Sequence, residues 1–323
     1  MRAALAHIAD WRRGWTQLLI TAKTAFSGSG RLEKKMQIFE HIQETLAKLE
    51  NDPAVMTRAA ALTGLRQLGA NDFSVVMWSM PLQAYPKLSS LLPRMAAAAD
   101  QELWTGSSGE RLLLQSMNYI RSVAENYTAL TDHTIRDRKI LDFGCGYGRF
   151  LRLGMYYTDQ IQGCDPWTES VRVCEEAGLA GMCRLSEYVP ESLPVDRDFE
   201  LAIAFSVFTH LSERSTKAAL SAIRAHLRDG AIACITIRPV EYWQANYLGS
   251  HGQAFVDKQQ ELHRRSGFAF TAHAGGHNDE DATYGDTSFT TEWLLANNSG
   301  WQIAAKDRSQ DDPTQRYIFL RAA

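Results

Sequence analysis

The residues with the most chemical promise in this 323-residue chain are seven in a row, Asp142-Phe143-Gly144-Cys145-Gly146-Tyr147-Gly148. They follow a short apolar run and precede a helical pattern, so they form the turn from a strand into a helix that begins near Arg149. Glycines there permit a tight turn and let backbone amides approach a ligand with no Cβ in the way. The helix N-terminus adds free N–H groups and partial positive charge, which suit a carboxylate or other anion. A tight connection without any ligand would explain the glycines equally well. Asp142, two positions before the first glycine, stands where a cationic amino group could pair with it. The G-x-G-x-G spacing differs from the G-x-G-x-x-G of dinucleotide sites and so disfavours a nicotinamide-dependent oxidoreductase.

Twenty-three residues after Asp142, Asp165 ends a second apolar run, Gln162-Gly163-Cys164-Asp165. A carboxylate at that point can accept both hydroxyls of a ribose. Further on comes Ser206-Val207-Phe208-Thr209-His210-Leu211, whose His210 is the histidine of the central region best placed to take a proton at neutral pH. A helix cap or a loop anchor is the competing role for His210. Glu241, His273 and His277 are weaker candidate bases. His273 and His277 stand four apart beside Asp279, Glu280 and Asp281, but the glycines between them argue against the helix that would aim both at one metal. No metal is expected.

These residues need a scaffold, and the rhythm from Lys139 onward supplies one. Short apolar runs alternate with helical stretches, the pattern of a parallel sheet made of βαβ units. The expected strands are Lys139 to Phe143, Gln160 to Cys164, Met182 to Leu185, Phe199 to Phe205 and Ala231 to Ile237. Trp301 to Lys306 and Arg316 to Leu320, joined by the polar turn Ser309 to Pro313, read as an antiparallel hairpin. About sixty residues separate the fifth and sixth strands, too many for a simple connection and a natural place for substrate contacts. Residues 1–95 read as a helical N-terminal region and 96–323 as the catalytic domain, with an insertion at about 239–299. The clearest helix runs from Arg31 to Leu49, with Leu32, Met36, Phe39, Ile42, Leu46 and Leu49 on one face. That stripe packs on its own domain or on a second copy of the chain. Pro81, Pro86 and Pro93 are expected to break helices.

A net charge of −3 gives no general attraction to nucleic acid or an anionic membrane. No segment reaches the roughly 20 apolar residues that cross a bilayer, and the N-terminus lacks a signal-peptide pattern. A cytoplasmic protein is expected. The five cysteines form no C-x-x-C pair and read as small apolar residues of a reduced interior.

Together, Asp142 to Gly148, Asp165 and the strand Phe199 to Phe205 resemble the class I S-adenosylmethionine-dependent methyltransferases, over roughly residues 135 to 240. The resemblance implies an α/β, Rossmann-like core with a mostly parallel seven-stranded sheet. It implies S-adenosylmethionine as cofactor, with Asp142, Gly144, Cys145, Gly146 and Gly148 holding the methionine part. Asp165 and Pro166 would then hold the ribose, and Glu187 in Ser186-Glu187-Tyr188 the adenine. Ser206 and Phe208 would border the reactive end. Trp104 to Gly109 resembles a turn that lies against the cofactor in similar bacterial enzymes, and a surface turn explains its glycines equally well. Tyr284 to Thr287 and Gln310 to Asp312 resemble enzymes of polysaccharide biosynthesis. That likeness implies methyl transfer to a sugar hydroxyl or another small polar acceptor, with Trp243, Trp293 or Trp301 as stacking faces. A cofactor-binding scaffold without catalysis is the alternative, its N-terminal helices recruiting a partner or a second copy of the chain.

Overall fold

The computed structural model describes residues 36–273, 277–278 and 281–323. Before the first strand come α1 (Glu40–Asn51), α2 (Arg58–Leu65), α3 (Ala70–Ser79), α4 (Pro86–Leu91), α5 (Ala98–Thr105) and α6 (Gly109–Thr131). The helix expected from Arg31 starts only at Glu40: Phe39 is extended at its N-cap, and Leu32 lies outside the described residues. Ile42, Leu46 and Leu49 recur at three- and four-residue spacing and are all buried. They face α2 and α4 of the same chain; a Cβ on Gly64 of α2 would strike Leu49 Cδ2 at 2.3 Å. Ile42, Leu46 and Leu49 are therefore taken up by intramolecular packing, whereas Phe39 is exposed. Pro86, expected to break a helix, begins one: it holds the first position of α4, where a missing amide costs nothing.

The alternating region gives β1 (Ile140–Phe143), α7 (Arg149–Gly154), β2 (Ile161–Asp165), α8 (Thr168–Cys174), β3 (Cys183–Leu185), β4 (Phe199–Ala204), α9 (Glu213–His226) and β5 (Leu227–Ile237). The insertion folds as α10 (Glu241–His251), α11 (Gln253–Ser266), β6 (Phe268–Ala272), β7 (His277–Asn278), β8 (Asp281–Ala282), β9 (Gly285–Phe289) and α12 (Thr291–Asn297). β10 (Trp301–Arg308) and β11 (Arg316–Ala322) make the terminal hairpin.

Seven strands form one sheet in the order β10-β11-β5-β4-β1-β2-β3. Strands β1 to β5 pair in parallel, and β11 runs antiparallel to both β5 and β10. The expected mixed sheet with its terminal hairpin is the one observed. Apolar clusters cover both faces, which is why these strands read as near-continuous apolar runs. On one face Ile203, Ile232 and Phe319 share a cluster with Ile42, Phe73 and Leu92 of the helical region. On the other, Ala202, Ala233 and Leu320 pack with Leu220 and Ile223 of α9 and Leu294 of α12. Strand order reverses between β1 and β4. In an open sheet that reversal leaves a crevice beyond the carboxyl ends of the two strands, the usual place for a ligand.

Candidate active site

The glycine loop sits at that crevice. Gly144, Gly146 and Gly148 have φ of 71°, 53° and 76°, left-handed values that strain residues with a Cβ. The amides of Gly144 and Cys145 donate to the Cys164 carbonyl at 2.8 and 3.1 Å, tying the loop to β2. A Cβ on Gly144 would lie 2.5 Å from Val207 Cγ2, so the turn after β4 presses directly on the loop. Asp165 faces the loop from the end of β2. Its Oδ2 accepts from Gly146 N and its Oδ1 from Trp167 N, each at 3.0 Å. With a further hydrogen bond from the Ser170 side chain, three of about four lone-pair positions of the carboxylate are used. Burial pushes the Asp165 carboxyl up, against the pull of those two amides. Pro166 follows, half-buried.

Asp142 is buried, and its Oδ2 has no hydrogen-bond partner among the described residues. Burial raises its carboxyl to about 8, with Arg149 opposing the rise. The side chain of Cys145 turns inward toward Cys183, which leaves its backbone as the part that faces the crevice. Ser206 adopts φ 59°, pinned by its amide donating to Thr236 Oγ1 at 2.6 Å. Glu187 is exposed just past β3. Its neighbour Ser186 donates its amide to the Asp165 carbonyl at 3.0 Å, which fixes that segment to the end of β2.

Two aromatic expectations need correction. Phe208 is fully buried and stacks on Phe143 at 6.1 Å, so its ring fills the core and does not cover the crevice. Trp243, Trp293 and Trp301 are also buried, and Trp243 spends its indole N–H on Ser288 Oγ at 2.7 Å. The half-exposed tryptophans at the loop are Trp104 and Trp167, with ring centroids 4.5 Å apart and Trp104 also against Tyr147. Trp104 Cε3 is the atom nearest a Cβ on Gly146, at 3.9 Å. The glycine-rich turn after Trp104 was the available signal; nothing in the sequence singled out Trp167.

A buried polar cluster adjoins the turn after β4. The insertion reaches it through main-chain bonds: Gly285 N donates to the His210 carbonyl at 2.8 Å and Thr287 N to the Thr209 carbonyl at 2.9 Å. At its centre Asp286, buried, accepts from Arg238, from the Tyr247 hydroxyl and from His273 Nε2, the last at 2.9 Å. Burial works against the charge on Asp286, but Arg238 and the His273 hydrogen bond outweigh it and hold the carboxyl well below its usual value. Arg238 lies over the Tyr242 ring, 3.9 Å from its centroid.

His210 borders this cluster. Its Nδ1 is 2.8 Å from the Gly285 carbonyl and 3.4 Å from Asp286 Oδ1, and its ring stacks on Tyr284 at 5.1 Å. Its Nε2 lies 3.3 Å from an Arg238 nitrogen. A carbonyl only accepts, so Nδ1 carries the proton and Nε2 has the lone pair. Burial, then Arg238, lowers the imidazole to about 3, so it is neutral at physiological pH. Glu241 lies instead on a hollow of about 380 Å³ shared with His263, Thr291 and Lys306. The side chain of His277 lies outside the described residues. Sequence reading missed Arg238, Tyr247 and the central role of Asp286. Asp286 stands 39 positions from Tyr247 and 48 from Arg238 in the chain, and no motif links them.

The family model described as a methyltransferase domain matches residues 140–230. No curated protein matches the chain. Among solved structures, a methyltransferase from Methanosarcina mazei is 17% identical, with 58% of this chain and 93% of that one covered and a TM-score of 0.41. One from Clostridium acetobutylicum is 13% identical, covering 65% of this chain and 91% of that one, with a TM-score of 0.41. A glycopeptide N-methyltransferase complexed with sinefungin is 13% identical, covering 65% and 94%, with a TM-score of 0.42. The segment from β1 to the start of β5, which carries the glycine loop, Asp165 and His210, is thus the part of the chain that is similar to a methyltransferase domain.

Proposed function

We propose that the chain transfers the methyl group of S-adenosylmethionine to a hydroxyl of a small polar acceptor, a sugar or glycan being the favoured class, with His210 taking the proton. The observation that carries this reading is the position of His210, a neutral imidazole at the junction of the glycine loop and the insertion. The cofactor supplies a methyl group already activated on a positively charged sulfur. The chain's own task is then to align the acceptor and exclude water. The unpartnered Asp142 Oδ2 fits a cationic amino group, the loop amides and the start of α7 fit a carboxylate, and Asp165 retains capacity for ribose hydroxyls. Glu187 is our choice for the adenine amino group, and Ser206 for the reactive end.

A hydroxyl becomes strongly acidic as it gains a methyl group, so even a weakly basic imidazole can accept its proton at Nε2. Asp286 at 3.4 Å from Nδ1 stabilises the resulting charge, while Arg238 opposes it. The Arg238 contact also favours a second reading, in which His210 only positions Tyr284. His210→Ala is expected to lower kcat by about 10²- to 10⁴-fold with cofactor affinity unchanged. If His210→Asn restores turnover, the positioning role is correct and the base role fails. The reaction itself is tested by following labelled methyl groups from the cofactor into a panel of glycans and amines. Labelling of amines alone would sink the hydroxyl assignment, and tight cofactor binding with no labelling would favour a scaffold.

A further inference from the structure

Three of the five cysteines meet behind the glycine loop. Cys145 Sγ lies 3.2 Å from Cys183 Sγ, and Cys174 Sγ lies 3.3 Å from the Gly146 carbonyl oxygen. They come from three elements: Cys145 from the loop, Cys174 from the end of α8 and Cys183 from the start of β3. All are buried and unoxidised, and β3 is the edge strand of the sheet. Arg152, fully buried, closes the group: a Cβ on Gly148 would lie 3.1 Å from Cys174 Sγ and 3.2 Å from an Arg152 nitrogen. Hydrogen bonds from Cys145 and Cys183, then Arg152, lower the Cys174 thiol to about 4.

We propose that Cys145 and Cys183 are a modification site, joined in a reversible disulfide by peroxides, and that this bond disables the glycine loop as a cofactor cradle. The loss of cradle function rests on the cofactor assignment above; formation of the bond does not. The Cys183 sulfur attacks one oxygen of the peroxide and gives up its proton. An S–O bond forms, the O–O bond breaks, and the leaving hydroxide takes up the Cys183 proton as water. The Cys145 sulfur then attacks that oxidised sulfur; the S–S bond forms, the S–O bond breaks, and a second water leaves with the Cys145 proton. Two thiols lose two electrons in total and the peroxide gains them.

A disulfide needs an S–S distance of about 2.05 Å, so the two sulfurs must close by more than an ångström. Cys145 Cβ is packed against the backbone of β2, only 2.8 Å from where a Cβ on Gly163 would lie. The loop backbone must follow the sulfur. That movement displaces Gly146, whose amide holds Asp165.

The test treats the full chain with hydrogen peroxide. Thiols are counted after denaturation, linked peptides are sought by mass spectrometry, and S-adenosylmethionine binding is measured by calorimetry before oxidation, after it and after dithiothreitol. The count is expected to fall from the five cysteines of the sequence by two, with Cys145 linked to Cys183. Cofactor affinity should fall about tenfold or more, and dithiothreitol should restore it. Cys183→Ala, or Cys183→Ser if that variant folds poorly, should keep its affinity through the same treatment. An unlinked pair in oxidised protein overturns the proposal, as does a linked pair with unchanged affinity or equal loss in the Cys183 variants. Failure of the reduced protein to bind the cofactor would instead count against the cofactor assignment, which the linkage analysis does not use.

Discussion

Asp286→Ala is expected to destabilise the protein by about 3–5 kcal/mol, the usual cost of leaving one member of a buried ion pair without its partner. The member left behind is Arg238, buried and otherwise engaged with the Tyr242 face and the edge of His210. The same change removes the acceptor for Tyr247 and His273, so three elements of the insertion lose their common anchor. Urea denaturation gives the stability change. A midpoint equal to that of the unaltered protein would show that Asp286 is not the hub described here. Asp286→Asn separates structure from chemistry. It keeps the shape while removing the negative charge that stabilises a protonated His210, so turnover should fall by more than stability does.

Asp142→Asn is expected to weaken S-adenosylmethionine binding by roughly 10- to 150-fold, the range that corresponds to 1.5–3 kcal/mol for a hydrogen bond to a charged group. The argument has a pH signature. In the free protein burial raises the Asp142 carboxyl to about 8, so at pH 7 it is mostly protonated. A cationic amino group placed against it favours the carboxylate, so binding releases a proton. Affinity should therefore tighten as pH rises from 6 and level off above about 8, with a slope of at most about tenfold per unit. Calorimetry in buffers of different ionisation enthalpy reads the released proton directly, and Asp142→Asn should abolish it. The sign for folding is the reverse. A folded-state value above the unfolded one gives stability that is fully present below the unfolded value and lost as pH rises through about 8. Absence of proton release in the unaltered protein would remove Asp142 from the amino-group role.

The elements that sequence reading located well are those whose signal is local. The run from Ile140 to Gly148 announces a strand, a left-handed turn and a helix start, because period, glycine placement and the acidic residue all lie within nine positions. The hairpin of β10 and β11 was legible for the same reason. The start of α1 was not, because the apolar spacing of Met36 and Phe39 continues a helical pattern that the backbone abandons at Phe39. Phe208 was misread because a residue after a strand can turn to either side. Only the packing of Phe143 beneath it decides which side it takes.

By itself the sequence determined the class of core, the glycine loop between β1 and α7, and the acidic residues at the ends of β1 and β2. These follow from short-range spacing and from the need of parallel strands to be apolar on both faces. Tertiary structure alone decided that Asp286 gathers Arg238, Tyr247, His273 and His210, and that three cysteines from separate elements share one space. The physical reason is that both groupings depend on which strand ends and loops become neighbours after the sheet closes. Residues far apart in the chain carry no spacing that records such a meeting.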